Sequence, residues 1–345
     1  DELPIPVRVA RKHPFMMSIS TTRGCYNSCS FCGASEFYEI CKVPKVRYRS
    51  VENVVNELKY IVEEFNPKTI KIVDEIFISP GNKRKEWISN FCSAIKEIGL
   101  KVSFHCQAKA SDIINNQKAL VALRKVGLEH IFIGIESFNQ RQLDYFNKRT
   151  TTEENVLAVQ ILRDLSIPIQ MGFMLLDHYS TVKEVHSNLI TLRNADVIEA
   201  FHYGQKLFSN YIMIAIPGTK VYKDLMDKQL IRNTPMCYDF ADENTSVFYN
   251  HMKEWNAKAR KLDDFLFLAI ARDIWTEQKG ESAQLMSFKR RLLRLDLDFL
   301  IALSWDIDQG KLNSLHKLLD EYDAVLHALQ LESGCLEKET FVGQL

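Results

Sequence analysis

The strongest constraint on the fold is a regular alternation of short β-rich runs with helical patterns over the first two-thirds of the chain. Strands separated by helices at this rhythm pair in parallel, with right-handed crossovers. The predicted strands are residues 15–19, 69–73, 101–105, 130–134, 167–175 and a sixth within 197–203. About six such units predict an α/β fold with a parallel sheet, either open or curved, because a full barrel needs eight.

Capping residues mark the start of three of the intervening helices. A Ser or Thr side chain at such a position accepts a hydrogen bond from the first turn, and a Glu three residues later can close a capping box. The three signals are Ser50, Thr151 with Glu154, and Thr181 with Glu184. Further helices are predicted over 85–98 and 117–126.

The last third of the chain, from about residue 235, has no strand rhythm. Its apolar positions predict long helices over residues 247–276, 282–306 and 312–331. We therefore predict an N-terminal linker over 1–14, a strand–helix domain over 15–230 and a helical domain over 231–345.

Composition limits the class of partner and the compartment. The chain is 46% hydrophobic and 26% charged, with 44 basic residues against 44 acidic ones. Nucleic-acid-binding proteins usually carry a basic excess, so no nucleic-acid partner is expected. No apolar stretch approaches the roughly 20 residues that a bilayer requires, and no signal-peptide pattern is present. We expect a cytoplasmic protein without a membrane partner, and a first residue of Asp1 is what a processed or partial product would show.

Three cysteines follow the first predicted strand directly. Cys25, Cys29 and Cys32 are separated by three and then two residues. Thiolates at this spacing can reach one metal centre without moving the rest of the fold, and they are the usual ligands of iron–sulfur clusters. Three protein ligands on a four-iron cluster would leave one iron open to other ligands.

Two other kinds of cysteine site have to be weighed. A structural zinc site needs four ligands, usually in two separated pairs, and a second Cys-x-x-Cys pair is missing. Cys41 could still supply a fourth ligand and close a zinc site or an electron-transfer cluster. A disulfide framework does not fit eight cysteines scattered through 345 residues.

The cysteine spacing, with Phe31 just before the third cysteine, resembles the radical S-adenosylmethionine (SAM) superfamily. Other landmarks follow in the expected order: Asp74-Glu75, Gly134-Ile135-Glu136-Ser137, Gly172 and Ile216-Pro217-Gly218-Thr219. The resemblance covers about residues 15–225. It implies a partial (β/α)6 TIM-like barrel, here followed by an α-helical C-terminal domain.

Within the superfamily, the sequence most resembles the branch whose members often carry an N-terminal cobalamin-binding domain. The supporting segments are Leu3-Pro4-Ile5-Pro6, Thr22-Arg23-Gly24-Cys25, Ile133 to Ser137, Asn147-Lys148 and Pro217-Gly218-Thr219. The Asp-x-His-x-x-Gly signature of that domain is missing, since Asp177 and His178 are adjacent. Cobalamin is therefore expected only if a domain outside this sequence supplies it.

The resemblance implies a [4Fe–4S] cluster on Cys25, Cys29 and Cys32, with SAM on the fourth iron. An electron donor such as flavodoxin or ferredoxin would allow reductive cleavage of SAM to a 5′-deoxyadenosyl radical. That radical would act on a small-molecule biosynthetic substrate, in a C-methylation or a radical rearrangement. The alternatives are a closed iron–sulfur electron-transfer or sensor protein and a methylthiotransferase-like enzyme. The second is disfavoured by the neutral charge and by the absence of a preceding three-cysteine domain.

The resemblance also implies roles in binding SAM. Phe31 is expected near the adenine, Asp74 or Glu75 on the methionyl ammonium, and Glu136, assisted by Ser137, on the ribose hydroxyls. Small or backbone contacts are expected from Gly172, Pro217 and Gly218, and a weaker one from Gln107 after the third predicted strand.

Overall fold

The computed structural model describes residues 5–9, 13–42, 44, 46–231, 238–276 and 282–334. The chain divides into two compact units. The first comprises Asp1–Ile135, Leu143–Gly172 and Ile216–Lys223, and the second Glu136–Gln142, Phe173–Ala215 and Asp224–Leu345. Leu3 and Pro4 of the predicted linker lie outside the described residues.

A parallel sheet of five strands is the framework of the first unit. Its strands are β1 (Met16–Ile19), β4 (Thr69–Ile72), β5 (Phe104–Lys109), β6 (Leu128–Glu136) and β7 (Ile169–Phe173), in the order β1-β4-β5-β6-β7. β1 pairs with β4 from Met16 opposite Thr69 to Ile19 opposite Ile72. Two short strands, β2 (Thr22–Arg23) and β3 (Arg47–Tyr48), form a separate antiparallel pair.

Helices connect these strands and make up most of the rest of the described chain. They are α1 (Gly33–Ile40), α2 (Val51–Phe65), α3 (Asn82–Glu97), α4 (Ala110–Asn115), α5 (Gln117–Lys125), α6 (Gln140–Tyr145), α7 (Thr152–Asp164), α8 (Val182–Asn194), α9 (Lys220–Asp227), α10 (Glu243–Thr276), α11 (Ser282–Asp308) and α12 (Leu315–Glu332). The predicted caps are confirmed: Ser50 accepts the N–H of Asn53 at 3.2 Å, and both predicted capping boxes are complete.

Aromatic packing fixes α3 to the sheet. The rings of Trp87 and Phe91 stack with centroids 5.3 Å apart, and Phe91 meets Phe104 of β5 edge-on at 6.1 Å. Phe91 and Phe104 are fully buried. Because large aromatic rings bury much apolar area, this cluster holds α3 beside β5.

The predicted fold class is confirmed, with two corrections to the strands. The predicted sixth strand is wrong, because Val197–Ala200 forms a 3-10 helix that follows Asp196 in the left-handed region (φ 50°). Val197 and Ile198 are buried, and a short buried apolar run looks the same in a strand and in a buried turn. The third strand is β5, which begins at Phe104 where the prediction nearly ended.

Long helices dominate the second unit, in agreement with the predicted helical C-terminal part. Asp296 of α11 is fully buried and accepts the indole N–H of Trp255 on α10 at 2.8 Å. The same carboxylate accepts the backbone N–H groups of Phe208 at 2.6 Å and Ser209 at 3.2 Å. One buried acid therefore joins two long helices to a 3-10 turn. In the part of the chain that the structure describes, no helix is both long and apolar enough to cross a bilayer.

Candidate active site

The three cysteines share one loop, residues 24–32, between β2 and α1, which we call the cysteine loop. All three are free thiols; Cys29 is buried, and Cys25 and Cys32 are half-buried. Cys32 is the N-cap of α1, and its N–H donates to the carbonyl of Cys29 at 3.2 Å. The Cys-x-x-Cys segment is thus a tight turn against a helix N-terminus, where the positive end of the helix dipole favours thiolates.

Glu75 connects the start of the cysteine loop to α1, the helix that follows the loop. Its carboxylate accepts the N–H of Gly24 at 3.0 Å and the hydroxyl of Tyr38 on α1 at 2.6 Å. Gly24 has φ 99°, which only glycine adopts readily. Burial and the hydrogen bond to Glu75 raise the pKa of Tyr38 to about 12, so the phenol remains a donor.

Asp74 holds the turn that precedes the cysteine loop. Its side chain is fully buried, and it accepts the N–H groups of Thr21 at 2.6 Å and Thr22 at 3.0 Å, together with the Thr21 hydroxyl. Burial raises the pKa of Asp74, and these donors oppose that rise. The carboxylate is therefore occupied by the chain itself, whereas Glu75 is exposed. The predicted contact of Asp74 or Glu75 with the methionyl ammonium stays a prediction.

Arg84 lies behind Asp74, and nothing in the local sequence predicted this placement. Its guanidinium is 3.9 Å from the Asp74 carboxylate, and its Nε donates to the carbonyl of Phe77 at 2.8 Å. It also lies over the rings of Trp87, at 4.3 Å, and Phe77, at 4.6 Å. Burial lowers the pKa of Arg84 to about 10, opposed by Asp74. The buried cation is thus matched by a carboxylate and by aromatic faces.

The segment that follows α6 supports the other side of the cysteine loop. Asn147 donates its side-chain N–H to the carbonyl of Ser28 at 2.7 Å, and Arg149 donates to the Ser28 hydroxyl at 3.1 Å. The N–H of Ser30 donates to the carbonyl of Phe146 at 2.9 Å. Asn147 and Arg149 have positive φ angles of 48° and 52°. An unusual backbone shape is therefore retained where this segment meets the cysteine loop.

Phe31 and the turn at residues 216–219 also meet the cysteine loop. Phe31 is half-buried, and its ring lies edge-on to that of Phe146 with centroids 5.4 Å apart. Pro217 and Gly218 are exposed in a turn with φ 90° at the glycine. Just after it, the N–H of Val221 donates to the carbonyl of Ser30 at 3.0 Å.

Two buried lysines belong to the same neighbourhood. Lys109, at the end of β5, is 5% exposed, and Lys148 is 6% exposed. Lys109 donates to the carbonyl of Arg149 at 2.9 Å and to the side-chain oxygen of Asn27 at 3.4 Å. The N–H of Asn27 in turn lies 3.5 Å from the sulfur of Cys25.

Electrostatics tie the cysteines to one another and to these lysines. Burial raises the pKa of Cys25, the N–H of Asn27 lowers it, Cys32 raises it and Lys148 lowers it. Cys29 in turn acts on Lys109. The Cys32 thiol is therefore near enough to Cys25 to disfavour a negative charge there.

The remaining predicted residues are placed as follows. Gln107 lies within β5 and not after it, and its carbonyl accepts the N–H of Phe77 at 2.9 Å. Gly172 lies in β7 of the first unit. Glu136 ends β6 with φ 64°, and Ser137 is fully buried; both belong to the second unit.

Ser137 is held by other side chains of the second unit. Its hydroxyl donates to the side-chain oxygen of Gln142 at 2.6 Å and accepts from Asn188 at 3.1 Å. Within the first unit, the structure therefore brings Phe31, Asp74, Glu75 and the 216–219 turn to the three cysteines.

Cys41 cannot close a four-cysteine site. It is the exposed C-cap of α1, at the opposite end of that helix from Cys32. Nine residues at a rise of 1.5 Å put the two about 13 Å apart, too far for ligands of one cluster. The alternative in which Cys41 is a fourth ligand therefore does not fit the extent of α1.

The donor set fits an iron–sulfur cluster with one iron free of protein ligands. Three thiols lie on one loop at a helix N-terminus, and among the described residues no fourth cysteine shares that loop. Thiolate sulfur is the ligand that such clusters use. A structural zinc site, which normally takes four protein ligands, fits less well.

Comparison with known proteins agrees with this geometry. The Radical SAM superfamily profile matches residues 19–188, and that family uses a [4Fe–4S] cluster and SAM. The chain is 33% identical over 152 residues to the anaerobic magnesium-protoporphyrin IX monomethyl ester cyclase of Rubrivivax gelatinosus, covering 44% of this chain and 26% of the cyclase. It is 26% identical over 231 residues to an uncharacterised methyltransferase of Pyrococcus horikoshii, covering 67% of this chain and 46% of that protein.

A solved structure shares the fold over nearly the whole chain. The cobalamin-dependent SAM radical enzyme OxsB, in its apo form, superposes with a TM-score of 0.72 at 18% identity, over 94% of this chain and 56% of that one. The present chain thus spans about a quarter of the cyclase and about half of OxsB. Residues 19–188, about half of the chain, are therefore a radical SAM domain.

Proposed function

We propose that this chain is the catalytic part of a radical SAM enzyme that acts on a small-molecule biosynthetic substrate. Cys25, Cys29 and Cys32 would hold a [4Fe–4S] cluster. When bound, that cluster and SAM supply a 5′-deoxyadenosyl radical through one-electron reductive cleavage. The observation that carries the proposal is the cysteine loop itself: three thiols on one tight loop, with Cys41 about 13 Å away along α1.

The chain's own residues would position SAM and exclude water around it. Glu75 is an exposed carboxylate fixed by Gly24 and Tyr38, which suits an acceptor for the methionyl ammonium because charge-assisted hydrogen bonds are strong. Phe31 presents a half-buried ring braced by Phe146, which suits an adenine contact. Glu136, which ends β6 with a positive φ of 64°, stays a predicted contact for the ribose hydroxyls.

Cofactors and partners outside the chain follow from the same proposal. A low-potential one-electron donor such as flavodoxin or ferredoxin would supply the electron. The fold shared with OxsB, whose name states cobalamin dependence, favours a cobalamin-assisted reaction if another domain provides cobalamin. The likeness to a cyclase and to a methyltransferase favours ring formation or other radical rearrangement, or C-methylation. Gly172, Pro217, Gly218, Gln107 and Ser137 stay predicted contacts.

The test is anaerobic reconstitution with iron and sulfide, followed by addition of SAM and dithionite. We expect close to four irons per chain, and 5′-deoxyadenosine or a demethylated SAM product detected by mass spectrometry. An intact cluster that yields neither product would contradict the proposed function.

Single cysteine variants sharpen this test. Cys25→Ala, Cys29→Ala and Cys32→Ala should each lose most of the iron, because the loop has no spare thiol. Cys41→Ala is the matched control and should load like the wild type, since that thiol lies at the far end of α1. Loss of the cluster in Cys41→Ala would instead support a closed electron-transfer site.

A further inference from the structure

The helix that follows the cysteine loop has an apolar side that no described part of the chain covers. None of the residues of α1 is buried, and Phe37 and Ile40 are 59% and 74% exposed. Because they are three residues apart, their side chains lie on the same side of the helix. A surface helix normally buries its apolar side, so this exposure needs an explanation.

Two arginines oppose each other on the nearby β2–β3 pair. Arg23 is in register with Arg47, and both residues are exposed. Within the part of the chain that the structure describes, neither guanidinium has a hydrogen bond or an ion pair. Like charges directly opposite each other on a strand pair are destabilising, and this pair retains them without a counter-charge in ion-pair distance.

Tyr38 connects the arginines with the exposed side of α1. Its ring meets that of Phe37 edge-on, with centroids 5.4 Å apart, and its hydroxyl donates to Glu75 at 2.6 Å. Burial and this hydrogen bond raise the pKa of Tyr38 to about 12, and Arg47 and Arg23 oppose that rise. Both guanidiniums therefore lie close enough to Tyr38 to act on its charge.

The same surface borders the cysteine loop at both of its ends. Arg23 comes two residues before Cys25, and Cys32 is the N-cap of α1. We define the arginine face as the exposed side chains of Arg23, Phe37, Ile40 and Arg47. Exposed apolar groups flanked by arginine are typical of protein–protein interfaces, and this one adjoins the loop that an electron has to reach.

The charges around the arginine face indicate the sign of its partner. On α1 and just after it, Glu39 and Lys42 are both exposed and offset each other, and Glu36 is paired with Lys223 at 3.6 Å. The remaining acid is Glu75, to which the proposed function assigns the methionyl ammonium. With SAM bound, the two arginines are thus left for an anionic surface.

We propose that the arginine face docks an acidic one-electron carrier protein, which reduces a cluster held by the cysteine loop. This inference rests on the proposed function. The reduced carrier loses one electron, and the cluster core gains it and goes from 2+ to 1+. No bond forms or breaks, and no proton has to move.

Docking is measured by isothermal titration calorimetry of the reconstituted chain with a flavodoxin of strongly negative net charge. Arg47→Glu should weaken binding about tenfold or more, because a like charge would face the partner. Arg47→Lys, which keeps the charge, should retain most of the affinity. Wild-type binding should weaken as salt shortens the Debye length from roughly 30 Å at 0.01 M to about 8 Å at 0.15 M.

Arg23→Glu separates docking from stability. It places a carboxylate opposite Arg47, and opposite charges across a strand pair are favourable. Binding of flavodoxin should fall about tenfold while the midpoint of urea unfolding stays equal or rises. An unfolded or weakened chain would show the opposite change in that midpoint.

Two further variants test the apolar part and the location of the arginine face. Phe37→Ala should weaken binding about tenfold, as loss of an aromatic anchor does, without changing the salt dependence. Lys118→Glu reverses an exposed charge on α5 of the same unit and should bind flavodoxin like the wild type.

Anaerobic stopped-flow measurements give a second readout. Reduction of the cluster by reduced flavodoxin should slow about tenfold or more in Arg47→Glu, because a reversed charge lowers the rate of association. Reduction by reduced methyl viologen should keep its wild-type rate, because this small reductant does not need a docking surface. An equal slowing with methyl viologen would overturn the inference, since the effect would then lie in the cluster.

Three other results would overturn the inference and leave the proposed function intact. One is a wild-type chain that cleaves SAM with methyl viologen but does not bind flavodoxin. Another is unchanged binding in both Arg23→Glu and Arg47→Glu. The third is a wild-type dimer that becomes a monomer in Phe37→Asp by light scattering, which would assign this face to a second copy. A chain that assembles no four-iron cluster would instead contradict the proposed function itself.

Discussion

Asp74 and Arg84 are a buried pair behind the cysteine loop. In Asp74→Asn, the amide oxygen can still accept the N–H groups of Thr21 and Thr22, but Arg84 loses its counter-charge. Removing one partner of a buried ion pair costs about 3–5 kcal/mol. We expect a loss of that order in the free energy of unfolding, measured by urea denaturation, together with weaker iron loading.

Two further variants check the cause. Asp74→Asn combined with Arg84→Met should recover part of the loss, since the uncompensated charge is gone. Glu75→Gln should cost less than about 1 kcal/mol, because its carboxylate is exposed and the amide can still accept a hydrogen bond. If Glu75→Gln were as damaging as Asp74→Asn, the buried pair would not be the reason.

At this scale, the sequence predicts ligands better than it predicts their surroundings. Cys25, Cys29 and Cys32 are recognisable because their spacing is local. Lys109 reaches the loop through the fold, by way of Asn27, and a lone lysine carries no local signal. Nothing in the adjacent acids Asp74 and Glu75 tells which one the chain buries and which it leaves exposed.

The turn between α5 and β6 requires glycine. Gly127 has φ 111°, and a Cβ there would lie 1.7 Å from the carbonyl oxygen of Val102. Gly127→Ala must therefore move the backbone beside β5, and we expect it to cost about 2–5 kcal/mol by chemical denaturation.

Gly99→Ala is the matched control. Gly99 also has a positive φ, 63°, but no atom lies within 4 Å of its added Cβ, so it should cost only about 1 kcal/mol. Equal losses at the two positions would show that φ, and not the close approach to Val102, sets the cost.

For whole elements, local chemistry decides what the sequence can predict. The capping boxes at Thr151 and Thr181 formed as expected because both of their partners lie within one turn. The strand predicted within residues 197–203 does not form. The β-branched residues Val197 and Ile198 favour a strand only where a partner strand is available to pair with them. That availability depends on the rest of the chain.

The buried carboxyl group of Asp296 should make the stability of the whole molecule depend on pH. Burial raises its pKa to about 6, opposed by N–H donors from Ser209, Trp255 and Phe208. Because folding raises this pKa, the stabilisation that comes from protonating Asp296 is fully present below about pH 4 and is lost as the pH rises through about 6.

Asp296→Asn removes this titration. The substitution should also lower the free energy of unfolding by about 1–3 kcal/mol, because the amide N–H₂ group would face an N–H donor. The difference in unfolding free energy between wild type and variant should be larger near pH 4.5 than near pH 7. A difference that grew with pH would contradict this assignment.

The overall architecture was predictable because strand–helix alternation is repeated many times, so one misplaced strand leaves the fold class intact. The division into two units was harder to predict from the sequence. Two segments, Glu136–Gln142 and Phe173–Ala215, belong to the second unit, although the chain directly before and after each of them belongs to the first. Which unit a segment joins depends on long-range packing, and a local sequence pattern does not report it.

The contacts that shape the cysteine loop have a consequence for how the protein matures. Asp74 holds Thr21 across 53 residues, and Asn147 holds Ser28 across 119; Val221 holds Ser30 from still farther along the chain. Ribosomes add about 5–20 residues per second, so about 190 residues separate the cysteines from their last support by roughly 10–40 s of synthesis. The thiols therefore leave the ribosome long before their binding geometry exists, and the metal centre should be inserted after translation into a folded first unit.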